Sequence, residues 1–90
     1  MKSAKRITVS GKVQGVHYRA STQQRASMIG IAGWVMNQSD GSVLIHAEGT
    51  PDQLSELITW CKLGPPAAVV SSCAVIELNI QDHTDFIIKR

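Results

Sequence analysis

The chain turns at Val13-Gln14-Gly15-Val16-His17-Tyr18-Arg19, between a predicted first strand (Lys5 to Val13) and a predicted first helix (Ala20 to Ile31). A loop that enters a helix leaves backbone N–H groups without intrahelical partners, and the helix dipole adds partial positive charge there. Gly15 allows close approach of the main chain, and Arg19 can bind two phosphate oxygens. The pattern therefore predicts an anion-binding loop. A simple turn beside an exposed arginine is the alternative, since neither a Walker loop nor a dinucleotide fingerprint is present.

The composition favours one globular domain that spans residues 1–90. Hydrophobic residues make up 43% and charged residues 18%, which excludes a disordered or fibrous class. The nine Lys and Arg are dispersed and the net charge is +2, so no nucleic-acid partner is predicted. The N-terminus has no signal-peptide apolar region and no apolar run reaches transmembrane length, so we expect a cytoplasmic protein without a membrane partner.

The cysteines and histidines show no metal-ligand spacing. Cys61 and Cys73 are too far apart for a CxxC motif, and free thiols are expected, with a single disulfide as the alternative. His17 is assigned to a solvated loop, and His46 and His83 to the surface. No metal and no cofactor are predicted.

A hairpin occupies the middle of the chain. Gly33 to Gln38 and Val43 to Glu48 predict two strands, and Asp40-Gly41 between them is a strong hairpin-turn signal. On the third strand His46 and Glu48 are expected to face outward. Its inward set is Val43, Ile45 and Ala47.

A second helix and two strands complete the chain. Thr50 is the predicted N-cap, and Gln53 three residues later completes a capping-box pattern. Gly64-Pro65-Pro66 ends the helix. Ala67 to Leu78 and Asp85 to Lys89 predict a fourth strand and a short last strand.

The order of these elements is β-α-β-β-α-β with an extra terminal strand. Such an order predicts the α+β, ferredoxin-like sandwich, in which two helices cover one face of an antiparallel sheet. The first and third strands are then central. The loop after the first strand consequently lies at one end of the sheet, close to the middle of the fold.

Two motifs follow one another along the chain. The first consists of Gly11, Val13, Gly15, Val16, Tyr18 and Arg19, and the second of Gly33, Trp34, Val35, Asn37, Gly41, Val43 and Gly49. In their order and spacing, these motifs resemble the acylphosphatase family. The resemblance covers essentially the whole chain, from the first motif to the strand at Phe86. The chain departs from the family at Val69 to Ser72, where members often carry a charged residue, and this departure bears on edge pairing and solubility.

The resemblance implies hydrolysis of the carboxyl-phosphate bond of acyl phosphates without a metal. It implies two catalytic residues: Arg19, aligned with the phosphate-binding arginine, and Asn37, aligned with the asparagine that positions the attacking water. The implied phosphate-binding residues are Gly15, Val16, His17, Tyr18 and Arg19, of which the backbone amides form the cradle.

The chemistry of the residues is consistent with this implication. An acyl phosphate expels a carboxylate, a weak base, so orientation and charge stabilisation suffice without a general acid. The sequence contains no evident carboxylate pair or Cys–His nucleophile. Since no convincing base is present either, a phosphate oxygen of the substrate is the hypothesised proton acceptor.

Two other functions are compatible with a βαββαβ domain. A regulatory module that binds phosphate or another anion without turnover is the principal alternative. Single-stranded RNA binding expects aromatic residues on the central strands, and Ile7 to Val13 and Val43 to Glu48 contain none. The expected protein is thus a monomer whose partner is a small acyl phosphate.

Overall fold

The computed structural model describes residues 1–89 and contains two helices and five strands in the predicted order. Observed ends differ from the predicted ones by a few residues. The elements are β1 (Ser3–Lys12), α1 (Tyr18–Ile29), β2 (Ala32–Asn37), β3 (Val43–Gly49), α2 (Pro51–Cys61), β4 (Val69–Leu78) and β5 (Phe86–Ile88).

The five strands form one sheet in the order β4-β1-β3-β2-β5. The predicted central position of the first and third strands is confirmed, and four strands pair antiparallel. The last strand instead pairs in parallel with β2, where Val35 lies opposite Ile88. The sheet is therefore mixed, because the chain crosses from the β4 edge to the far edge before β5 begins.

The core lies between the helices and one face of the sheet. The predicted inward residues of β3 are all completely buried. Each large apolar side chain buried in this way contributes about 1.5–3 kcal/mol to folding. The fully buried core side chains include Ile7, Val9, Val35, Val43, Ile45, Ala26, Leu54, Leu57 and Cys61.

Helix α2 begins with the predicted capping box. The backbone N–H of Gln53 donates to Thr50 Oγ1 at 3.2 Å, and the N–H of Thr50 donates to Gln53 Oε1 at 2.9 Å. The Gln53 side chain also donates to the carbonyl of Ile29 at 3.1 Å. One glutamine thereby joins the start of α2 to the end of α1.

Helix α1 begins at Tyr18, earlier than the predicted Ala20, because the Tyr18 side chain is anchored in the core. Its hydroxyl donates to the backbone carbonyl of Cys61 at 2.7 Å. The helix ends at Ile29, not Ile31, since the left-handed Gly30 donates its N–H to Ala26 and stops the helix there. The first turn of α1 is thus fixed to the last turn of α2.

The predicted exposure of His46 and Glu48 is wrong. Both lie on the face opposite the core, as the strand alternation requires, but they are 0% and 2% exposed. The connection between β4 and β5, residues 79–85, crosses this face and is the crossing segment. Glu48 accepts hydrogen bonds from the backbone N–H groups of Gln81 (2.6 Å) and His83 (2.9 Å) of this segment. His83, also predicted at the surface, is half-buried.

The carboxyl of Glu48 is ionised in these surroundings. Burial alone would raise its pKa, but the hydrogen bonds from His46, Gln81 and His83 outweigh burial and hold the pKa below its usual value. A carboxylate that accepts several hydrogen bonds is a stable anchor for the crossing segment.

Both thiols are unpaired, as predicted. Burial raises the pKa of Cys61 to about 12, so this thiol stays protonated and unreactive at neutral pH. Within residues 1–89, no helix has the length and apolar character needed to cross a bilayer.

Candidate active site

The loop between β1 and α1 has an unusual backbone. Gly15 and His17 both adopt positive φ, 74° and 63°, in the left-handed region that favours glycine. His17 is the N-cap of α1, yet its side chain makes no capping hydrogen bond. Within residues 1–89, no acceptor satisfies the backbone N–H groups of residues 15–20. The start of α1 therefore presents free donors and the positive end of the helix dipole.

A pocket of about 320 Å³ opens over this loop. It brings together Arg19 and Asn37, the two residues predicted to be catalytic. Three of the other predicted phosphate-binding residues, Gly15, His17 and Tyr18, also line it, whereas the fourth, Val16, is buried in the core and does not. The full lining is Val13, Gln14, Gly15, His17, Tyr18, Arg19, Ala20, Asn37 and Ile88.

Asn37 is held at the end of β2, where it shares the helix-facing side of the sheet with Val35 by strand alternation. It pairs with Val43 of β3, which also pairs with Val9 of β1. Its side-chain oxygen is shielded from solvent and has no hydrogen-bond partner among residues 1–89. The carboxamide therefore retains hydrogen-bonding capacity toward the pocket that Asn37 lines.

Gln14 joins the loop to the hairpin, a role that the sequence did not predict. Its Nε2 donates to two backbone carbonyls, Gln38 at 2.8 Å and Ser42 at 2.9 Å. These carbonyls flank the turn that follows Asn37. In the sequence, the one indication of this role is that Gln14 is a polar residue between Val13 and Gly15 of the first motif. Its partners lie 24 and 28 residues further along the chain, so the sequence pattern does not predict them.

The hairpin turn is itself rigid. Asp40 Oδ1 accepts hydrogen bonds from the N–H of Ser42 (3.0 Å) and from its hydroxyl (2.6 Å). The side-chain and backbone hydrogen bonds from Ser42 lower the pKa of the Asp40 carboxyl. The Asp40-Gly41 turn predicted from sequence therefore provides a fixed support for Gln14 and Asn37.

The side chain of Tyr18 supports the pocket from below and does not act as an acid or a base. Burial raises the pKa of its hydroxyl above the usual value, so the hydroxyl stays protonated and donates its hydrogen bond to the backbone carbonyl of Cys61. Its ring also packs against the main chain of Gly64, where an added Cβ would lie 2.8 Å from a ring carbon.

The pocket lining defines what chemistry is available. Arg19 is a permanent cation, and Asn37 and Gln14 supply neutral carboxamides. Among the described residues, the lining includes no carboxylate and no cysteine. The pocket is therefore suited to an anion, and its described lining supplies none of the carboxylates that usually hold Mg²⁺ or Ca²⁺.

Known proteins resemble this chain over almost its whole length. The model of the Acylphosphatase family matches residues 5–88. An acylphosphatase from Marinobacter nauticus is 56% identical over 81 residues, which cover 89% of this chain and 88% of the relative.

Solved structures agree in fold. An acylphosphatase from Coxiella burnetii superposes with a TM-score of 0.95 at 39% identity and covers 98% of this chain and 93% of its own. The acylphosphatase from Bacillus subtilis has a TM-score of 0.95 at 37% identity, with 100% of both chains covered.

The loop geometry predicts an effect of Gly15→Ala on anion binding that a matched glycine will not show. Gly15 and Gly41 both have positive φ, and an added Cβ would meet nothing within 4 Å at either site. Each alanine should destabilise the fold by about 1–2 kcal/mol through backbone strain alone. Only Gly15→Ala should weaken inorganic-phosphate binding, measured by calorimetry, because it disturbs the free N–H groups. Equal phosphate affinity in the two variants would contradict this role of the loop.

Proposed function

The chain belongs to the acylphosphatase family and hydrolyses acyl phosphates, and from this we propose how its pocket performs the reaction. The phosphate of the substrate occupies the β1–α1 loop, Arg19 neutralises its charge, and Asn37 orients the attacking water. The observation that carries the proposal is the shared pocket, which is lined by Arg19, Asn37 and the N-terminus of α1.

Phosphate binding by the loop follows from the free donors. The amides of Gly15, Val16, His17, Tyr18 and Arg19 belong to the segment whose N–H groups lack acceptors in the described chain. Together with the helix dipole, they favour a dianion at the start of α1. The guanidinium of Arg19 adds a planar pair of donors that matches two phosphate oxygens.

Water orientation by Asn37 follows from its position and its support. Asn37 lines the pocket, and its carboxamide can hydrogen-bond a water molecule there and orient that water toward phosphorus. Gln14 helps by fixing the hairpin against the loop, so that the distance between phosphate and carboxamide is set before the substrate binds. Such preorganisation favours in-line attack.

The reaction requires little proton transfer from the protein. Water forms a bond to phosphorus, and the bond between phosphorus and the bridging oxygen breaks, which releases a carboxylate and inorganic phosphate. The carboxylate is a weak base and leaves without protonation. The proton of the water passes to a phosphate oxygen of the substrate, a route that fits a lining without carboxylates.

Metal independence is part of the proposal, and the absence of carboxylates from the described lining supports it. The decisive assay measures phosphate release from a simple acyl phosphate, such as acetyl phosphate, in the presence of a chelator. We expect full activity there and none toward an alkyl phosphate of similar size. Activity that is lost with chelator and restored by a divalent cation would overturn metal independence. Phosphate binding without turnover would instead indicate the anion-binding module.

The proposal extends to the setting of the enzyme. Arg19, Asn37 and the β1–α1 loop already meet in one pocket within a single copy of the chain, so the proposed reaction needs no residue from a second copy. We propose a cytoplasmic enzyme whose partner is a small acyl phosphate, without a nucleic-acid or membrane partner. Gel filtration at the concentration of the assay tests the monomer.

Replacement of Arg19 by Ala should nearly abolish turnover. Loss of an arginine that stabilises a phosphoryl transition state lowers the rate by about 10³-fold or more. Arg25→Ala is the matched control, since Arg25 lies on the same helix with its guanidinium over Trp60 and outside the pocket. Steady-state kinetics and phosphate inhibition should both change in Arg19→Ala. Near-normal kcat/KM in that variant would reject the assignment.

Replacement of Asn37 by Ala should reduce kcat much more than phosphate affinity. Removal of one oriented polar group from an active site costs about 10²–10³-fold in rate. The phosphate ligands are elsewhere, so the inhibition constant of inorganic phosphate should stay within a few-fold of wild type. Asn79→Ala, the same change at an exposed residue, controls for general effects. Equal losses in kcat and phosphate affinity would show a structural role.

A further inference from the structure

A second cluster of reactive side chains lies on the sheet face opposite the helices. His46 and Glu48 extend from β3, and His83 approaches from the connection between β4 and β5. Each offers a potential ligand atom, and these three atoms lie within 4.8 Å of one another. None of the three residues lines the phosphate pocket. We infer that His46, Glu48 and His83 form a binding site for a divalent transition-metal ion such as Zn²⁺.

The chemistry of the donors selects the class of ion. Two imidazole nitrogens and one carboxylate oxygen are a common ligand set for Zn²⁺ and related ions. Mg²⁺ and Ca²⁺ require oxygen ligands almost exclusively and are not expected to compete. With two neutral imidazoles, the ligand set carries a single negative charge, which partly neutralises a divalent cation.

The cluster is assembled before any ion binds. His46 and Glu48 are two residues apart on one strand, so both side chains project from the same face. The amides of Gln81 and His83 donate to the Glu48 carboxylate and hold the crossing segment over β3. The ring of His83 consequently lies 5.1 Å from that of His46, centroid to centroid. Metal-binding carboxylates are commonly oriented by hydrogen bonds of this kind.

The imidazole of His46 is under-satisfied in the fold. Its Nε2 lies 2.9 Å from Glu48 Oε2, while Nδ1 is buried and has no hydrogen-bond partner among residues 1–89. A buried polar atom without a partner is unusual. An ion that binds this ring therefore has at most one hydrogen bond to displace there.

The surroundings limit the affinity without blocking the site. Trp34 stacks on His46 with 5.8 Å between ring centroids, and the cations of Arg6 and Lys89 lie over the Trp34 ring. These charges disfavour a further cation. His83 is half-buried and gives access from solvent, and Gln81 Oε1, 3.3 Å from His83 Nε2, is available as a fourth ligand. We expect weaker binding than at four-ligand structural zinc sites.

An ion at this position would fasten the crossing segment to the sheet. The segment leads directly into β5, whose Ile88 lines the phosphate pocket. An ion that binds the folded state and not the unfolded state stabilises the folded state by mass action. At a free Zn²⁺ concentration of about 100 times the dissociation constant, the equilibrium constant for unfolding should fall about 100-fold.

The spacing of the histidines in sequence predicted no metal site, because the crossing segment brings His83 back to β3 only after folding. No short motif contains both histidines. The juxtaposition of a β3 residue pair with the β4–β5 connection is a property of the tertiary structure.

The test is a calorimetric titration of the full chain with Zn²⁺ in a buffer without chelator. Wild type should bind one ion. His83→Gln should lower the affinity by at least about 10-fold, because even the loss of a residue that only orients a metal ligand costs about 10–100-fold. His17→Gln, a change of the exposed histidine outside the cluster, should bind Zn²⁺ as wild type does. Absence of binding by wild type, or unchanged affinity in His83→Gln, would overturn the inference.

A second readout separates loss of ligation from loss of folding. Co²⁺ reports its ligand geometry by visible absorption, so wild type should give an absorption spectrum that Zn²⁺ abolishes by competition. His46→Gln should lose this spectrum while its circular dichroism remains that of the folded chain. If His46→Gln does not fold, the Co²⁺ spectrum of His83→Gln decides, because His83 is only half-buried and its replacement disturbs the fold less. A spectrum retained in folded His83→Gln, or lost in His17→Gln, would contradict the site.

Discussion

The antiparallel pairing of β1 with β3 is the constraint from which the pocket follows. It sets Val9 opposite Val43, and Val43 in turn lies opposite Asn37 of β2. The end of β1 therefore reaches the same end of the sheet as the β2–β3 hairpin. The β1–α1 loop and Asn37 meet there although they are separate in sequence. The two hydrogen bonds of Gln14 to the hairpin carbonyls then fix the distance between the loop and Asn37.

The two faces of the sheet carry different chemistry. On the helix side the residues pack an apolar core that supports a pocket for an anion, with Tyr18 anchored to Cys61 beneath it. On the other side the crossing segment encloses an ionised carboxylate and two imidazoles. Such a polar cluster is tolerated because amide donors satisfy Glu48, whereas an unpaired carboxylate there would be costly. An anion site and a cation site are thereby kept apart by the sheet itself.

Local signals in the sequence predicted most of the fold, and non-local contacts account for what they did not. The capping box at Thr50 and the turn at Asp40-Gly41 act within a few residues, so their patterns were sufficient. The burial of His46 and Glu48 depends on a segment that returns over the sheet much later in the chain. The same holds for the parallel pairing of β5 and for the partners of Gln14. The prediction that Arg19 and Asn37 share one site came from the resemblance of two motifs to the acylphosphatase family.

In the proposed mechanism, the N–H groups at the start of α1 and the guanidinium of Arg19 bind the phosphate group of the substrate. An NMR titration of ¹⁵N-labelled protein with inorganic phosphate tests it most directly, since each amide reports separately. We expect the largest saturable shift changes at the amides of residues 15–20 and at the Arg19 side-chain Nε–H. Largest changes elsewhere, for example around Trp60 between the helices, or no saturable change at millimolar phosphate, would contradict it.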